Sequence, residues 1–167
     1  SLADESGCAL PGDAQCAAGL VFLPHDDDAA ARGRDALDAR LHEAGVQVAG
    51  WRNVPTDPDA CGTLARTSMP RIEQVFVHAA DIDIARDAFD RALFLARRRS
   101  EQMLKDIEDF HVVGLSADTL CYKGMALPDS LSRLFPDLQR ADLAPRAVVF
   151  HQRFSTNTLP RWPLAHP

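Results

Sequence analysis

Along this chain the spacing of apolar positions changes repeatedly, and each change marks an element. Residues 17–23 form an unbroken apolar run stopped by Pro24, which suits a buried strand. Asp26, Asp27 and Asp28 then offer capping oxygens and negative charge to a helix N-terminus. Ala30, Leu37, Leu41 and Ala44 recur at helical spacing and Gly45 can close the last turn, so a helix is predicted over 29–44. Strands are predicted over 46–51 and 72–77, the second with Val75 and Val77 on one face and Phe76 on the other. Between them, the proline-bearing stretch 53–70 reads as loop.

The clearest helix covers 84–107. Ala85, Phe89, Ala92, Leu93, Ala96, Met103, Leu104 and Ile107 share one apolar stripe, and Asp87 with Arg91 and Glu101 with Lys105 stand four apart with the acid first. Two strands, 110–115 and 119–122, follow around a turn at Ser116-Ala117-Asp118. Pro128 can open a short helix reaching Leu134, and 147–154 reads as a last strand. Residues 1–16 read as loop and 159–167 as an irregular, proline-bearing tail. This order predicts one α+β domain over 1–167, with two long helices packed on a sheet of 17–23, 46–51, 72–77, 110–115 and 119–122. A ferredoxin-like βαββαβ arrangement fits the first six elements as well.

Composition narrows the class. The chain has 167 residues, 46% apolar and 25% charged, which is ordinary for a globular domain. A net charge of -6 argues against bulk binding to nucleic acid. Arg97, Arg98 and Arg99 read as a solvated helix face. Cys8, Cys16, Cys61 and Cys121 form no C-x-x-C pair, and the six histidines show no ligand spacing, so no metal or cluster site is expected. Cys121 reads as a small core residue in its apolar strand. No apolar stretch is long enough to cross a membrane and no signal-peptide pattern is present, which points to the cytoplasm. Nucleotide-binding glycine motifs and a G-x-S-x-G elbow are absent too.

One segment concentrates candidate chemistry. Arg153 stands where an apolar strand emerges, and Ser155, Thr156, Asn157 and Thr158 follow almost directly. A guanidinium can grip a carboxylate with two parallel hydrogen bonds, and hydroxyl and amide groups can add more. The same residues also fit a structural role, with Arg153 paired to an internal acid and Ser155 and Thr156 shaping a turn.

RFSTNT at 153–158, followed by Pro160, Trp162-Pro163-Leu164-Ala165 and Pro167, resembles the signature of the glutaminase (class II glutamine amidotransferase) domain of glutamate synthases. GLVFLP at 19–24, GWRNVP at 50–55, YKGM at 122–125 and FPDL at 135–138 resemble further family segments in the same order. The resemblance implies an N-terminal-nucleophile hydrolase fold, an αββα sandwich of which this chain would be an incomplete part on a mixed sheet. It implies that Arg153 binds the α-carboxylate of L-glutamine, with Thr156 and Asn157 lining the same pocket. Ammonia released there would serve the reductive amination of 2-oxoglutarate to L-glutamate elsewhere in the parent enzyme. The parent would use FMN, an iron–sulfur cluster and NADPH or ferredoxin, and none of these is expected in this chain. The implied partners are the remainder of the large subunit and, in some parents, a small reductase subunit.

The departures concern catalysis. The family's nucleophile is an N-terminal cysteine, whereas this chain begins Ser1-Leu2-Ala3 and its cysteines are internal; the oxyanion-hole Asn-Gly pair of the family is also not among these residues. No catalytic residue is therefore assigned, and the chain alone is expected to be inactive. Gln152, Arg161 and His166 also differ from the family's usual residues. Two other readings stand beside this one: a catalytically dead amidotransferase-like module that binds an amino acid or a protein, and an unrelated α+β interaction domain.

Overall fold

A computed structural model describes residues 1–152 and 159–164. The chain divides into two compact units, Ser1–Asn53 with Arg71–Cys121, and Val54–Pro70 with the described part of Tyr122–Pro167.

The first unit is built on four strands: β1 (Cys16–Leu23), β2 (Val46–Asn53), β3 (Arg71–Ala79) and β4 (His111–Ser116). Their order in the sheet is β2-β3-β1-β4, and every neighbouring pair is antiparallel. Helices α2 (Asp27–Glu43) and α4 (Arg86–Met103) connect β1 to β2 and β3 to β4. The α+β expectation holds. The mixed sheet does not, because each helical crossover returns the chain to a strand one place beyond its neighbour, and antiparallel partners fill those gaps. The strand order is that of the ferredoxin-like alternative. The described residues form this single four-stranded sheet, which is compatible with an incomplete part of an N-terminal-nucleophile hydrolase domain.

Period-two alternation in β3 divides the core. Val75 and Val77 join Val21, Leu23, Val46 and Val112 against Leu37 and Leu41 of α2 and Phe89 and Leu93 of α4. Phe76 faces the other way, where it packs with Ala3 and Cys8. Asp26 caps α2 as expected, its Oδ1 accepting from the Ala29 amide at 2.8 Å. Gly45 follows the helix at φ +76°, a conformation that a side chain would strain.

Several expected elements differ. The first residues are not all loop: α1 (Leu2–Glu5) carries a capping box between Ser1 and Asp4 and buries Ala3. A 3-10 turn (Pro58–Ala60) and α3 (Thr63–Thr67) occupy the stretch 53–70. Residues 119–122 form no strand, so the sheet stops at four, and Cys121 is only partly buried outside any strand. Ser116 ends the sheet locally: its hydroxyl accepts from the amides of Asp118 and Thr119, closing the chain into a turn. The late strand is also not formed over 147–152, which is exposed; residues 153 and 154 lie outside the described residues. In the tail, a 3-10 turn (Trp162–Leu164) buries Trp162 to 1% exposure.

Helix α4 is shorter than the apolar stripe suggested. It ends at Met103, which is exposed, while Leu104 caps it and is buried. Lys105 therefore lies past the helix and does not pair with Glu101, which instead meets Arg97, Arg98 and His111. Asp87 accepts from the neighbouring Ala88 amide rather than reaching Arg91.

Candidate functional site

The second unit joins stretches that are far apart in sequence, and three of the motif-bearing segments meet in it. Leu134 and Phe135 are fully buried at the end of α5 (Leu131–Leu134), which continues a 3-10 turn (Pro128–Ser130). The Asp57 amide donates to Leu134 O at 2.9 Å, and Arg133 Nε donates to Asp57 Oδ2 at 2.9 Å. Asp57 thus fastens the 54–70 stretch onto α5.

Residues 122–125 lie on this centre. The Tyr122 ring stands 5.2 Å from that of Phe135, and its hydroxyl donates to Asp137 Oδ2 at 2.7 Å. Asp137 is only 4% exposed, so that bond satisfies a carboxylate held away from water. Gly124 is required by close approach, since a Cβ there would lie 2.7 Å from Leu134 Cδ2. Met125 is buried beside it in sequence.

The turn Trp162–Leu164 is tied into the same unit by two bonds. Trp162 Nε1 donates to Ala65 O of α3 at 3.0 Å, and Lys123 Nζ donates to Pro163 O at 2.8 Å. An indole buried so completely needs a partner for its N–H, and the α3 carbonyl supplies it. The remaining GWRNVP segment lies mainly in the first unit. There Trp51 Nε1 donates to Asp38 at 3.1 Å, and Arg52 Nε donates to the buried Gln74 at 2.8 Å.

Arg153, Thr156 and Asn157 lie outside the described residues, as do Ala165 and Pro167 of the same signature. What is described is how the chain enters and leaves. His151 and Gln152 are exposed on the near side; beyond Leu159, which is also exposed, the chain is anchored at Trp162. The sequence reading missed Lys123, Tyr122 and Asp137 as parts of one constellation. Their signal was present, because YKGM, FPDL and the tryptophan were each singled out, but nothing in spacing shows that they touch.

Ser1 Oγ is engaged with Asp4 at the start of α1. Cys8 is buried. Burial pushes up the thiols of Cys16 and Cys61, the latter with help from the Asp57 charge, which disfavours thiolate. Among the described residues, no three or more His, Cys, Asp or Glu side chains gather where they could hold a metal ion. No helix among them is long and apolar enough to cross a membrane.

Comparison with known proteins agrees with the motifs. The family model of class-II glutamine amidotransferases matches residues 1–167. The chain is 34% identical over 168 residues to the ferredoxin-dependent glutamate synthase, chloroplastic, of Oryza sativa subsp. japonica, covering 99% of the chain. It is 37% identical over 158 residues to the glutamate synthase [NADPH] large chain of Azospirillum brasilense and 33% identical over 159 residues to that of Bacillus subtilis, covering 93% and 95% of the chain. In each case the match takes in 10% of the relative, so the chain spans about a tenth of the length of these proteins.

Proposed function

The chain belongs to the class II glutamine amidotransferases, and from that premise we propose that it is part of the glutaminase domain of a glutamate synthase large chain. On this reading the parent enzyme releases ammonia from L-glutamine and uses it to aminate 2-oxoglutarate to L-glutamate. The observation that carries the proposal is similarity to glutamate synthases along nearly the whole chain, through the RFSTNT segment and the three segments that meet in the second unit.

In this proposal Arg153 holds the α-carboxylate of glutamine, with Thr156 and Asn157 beside it. The planar guanidinium offers two parallel N–H groups to a carboxylate, which fixes the direction in which the side-chain amide points. These 167 residues supply this clamp; the nucleophile, the oxyanion donors and the grip on the α-amino group belong to the rest of the parent. FMN, the iron–sulfur cluster and reduction by NADPH or ferredoxin are likewise assigned to the parent outside this chain. The remainder of the large chain is its constant partner, with a small reductase subunit where the parent has one, and the proposed location is the cytoplasm.

The test is Arg153→Ala in the full-length parent. Removing one member of a carboxylate pair of this kind costs roughly 2–5 kcal/mol, so kcat/KM for glutamine is expected to fall by about two orders of magnitude. Glutamate synthesis supported by free ammonia should persist, because ammonia has no α-carboxylate. Arg153→Lys should recover only part of the loss, since it returns the charge without the fork. Equal loss with both nitrogen donors would assign Arg153 a structural role and refute the proposal.

A further inference from the structure

We propose that both edges of the sheet are closed to strands of a second copy of this chain by one extra residue in each edge strand, Ala49 in β2 and Val113 in β4.

The inner strands β1 and β3 pair through eight residues without a shift. Both outer pairings are interrupted. Val48 faces Val77 and Gly50 faces Phe76, which leaves Ala49 extra in β2. Gly114 faces Leu20 and Val112 faces Val21, which leaves Val113 extra in β4. In each case the added residue belongs to the outer strand and not to its inner neighbour. Among the described residues, β2 and β4 are the two ends of the strand order.

The spacing of apolar side chains accounts for both bulges. Alternate residues of a strand share a face. On the inner strands the residues that face the helices keep that step: Val75, Val77 and Ala79 on β3, and Ala17, Val21 and Leu23 on β1. On the edges they do not. Val46, Val48 and Trp51 step by two and then by three, and so do Phe110, Val112 and Leu115, yet all six pack in the same core. A step of three reaches the same face only if one residue leaves the ladder. Without the extra residue, the register of 46–48 continued through β2 would set Trp51 opposite Gln74 and Arg52 opposite Glu73, each on the wrong face. With it, Trp51 meets Asp38 of α2, and Arg52 meets Gln74 on the other side. Gly50 suits the bulge, because a Cβ there would lie 2.5 Å from Cys8 Sγ.

An edge strand presents a row of backbone donors and acceptors on which another extended chain can pair. A bulge bends the strand and breaks the even spacing that such a partner needs. Two bulges, one on each edge, leave neither side of the sheet regular.

Deletion of Ala49, deletion of Val113 and the double deletion in the 167-residue chain test this. Each deletion joins the two registers of its strand into one and restores an even step, so every apolar side chain keeps its face and the fold is expected to persist. The double deletion is expected to self-associate at about tenfold lower concentration than the unaltered chain in sedimentation velocity. Hydrogen exchange should slow in 46–53 and 111–116 as it does so, which separates pairing at the edges from association elsewhere on the surface. A double deletion as monodisperse as the unaltered chain overturns the inference. Association with no slowing of exchange in those two strands overturns it as well. So does loss of the cooperative thermal transition in either single deletion, because continuity of the two registers is the premise.

Discussion

Asp38 shows how a single side chain can set a pH dependence. It lies on α2, and burial, aided by the nearby Asp35 charge, pushes its carboxyl up to about 6 against the pull of the Trp51 hydrogen bond and of Arg34. A carboxyl raised in the folded state binds its proton more tightly there than in the unfolded chain. The ionised form therefore costs stability, and the cost grows as pH rises from about 4 to about 6, then stays constant. Asn has no such ionisation and its amide oxygen can still accept from Trp51. Asp38→Asn is expected to stabilise the protein by roughly 1–2 kcal/mol at pH 7.5, discounted for the partial exposure of the site, and by almost nothing near pH 4. Thermal melts of both proteins at the two pH values check this; a gain of equal size at both would assign the effect to something other than charge.

At the scale of elements, α4 rests on one stripe. Phe89, Leu93 and Ala96 are almost wholly buried, while Phe94 is 59% exposed. Leu93→Ala removes side-chain volume between the helix and the sheet and is expected to cost about 2–5 kcal/mol. A reversible denaturation showing a loss under about 1 kcal/mol would mean that this face is not the packed one. Both long helices and the strands were legible because their periodicity is local and their apolar faces are large. Ser100 was not, because it is a fully buried polar residue that satisfies itself by donating to Arg97 O. The short helices α1 and α3 have too few residues for a period to emerge. Residues 119–122 look like a strand by propensity, but Tyr122 has its hydroxyl committed to Asp137 and its ring to Phe135, so tertiary contacts decide its conformation. The tail reads as irregular because three prolines mask a tryptophan whose partner, Ala65, lies far upstream.

For the whole molecule, the informative feature is an exposed apolar run. Val148, Val149 and Phe150 are 74%, 95% and 82% exposed and belong to a segment whose propensity favours a strand. Consecutive exposed apolar side chains gain from burial against another surface. The relatives are about ten times longer than the matched region, and on the proposal that this chain is part of such a protein, further chain packs on the run. In the full-length parent, backbone amides of residues 147–152 are expected to exchange with solvent at least about a hundredfold more slowly than in the 167-residue chain. Equal exchange in both, measured by hydrogen–deuterium mass spectrometry, would show that nothing covers the run. The candidate site was legible as separate motifs and no further, because spacing along the chain does not show that Tyr122 meets Asp137, Lys123 meets Pro163 and Trp162 meets Ala65.

The bond from Trp162 to Ala65 spans 97 positions of chain. During synthesis, Ala65 leaves the ribosome well before its partner exists, by roughly 5–20 s at ordinary elongation rates. For that interval the carbonyl that will take the indole is open to water, and the first unit, which ends at Cys121, has all its residues available. The later unit, whose two halves enclose β3, α4 and β4 in sequence, can close only when the last turn emerges. Its order of birth makes this second unit the last part of the chain to mature, and the part most exposed to kinetic error if translation stalls.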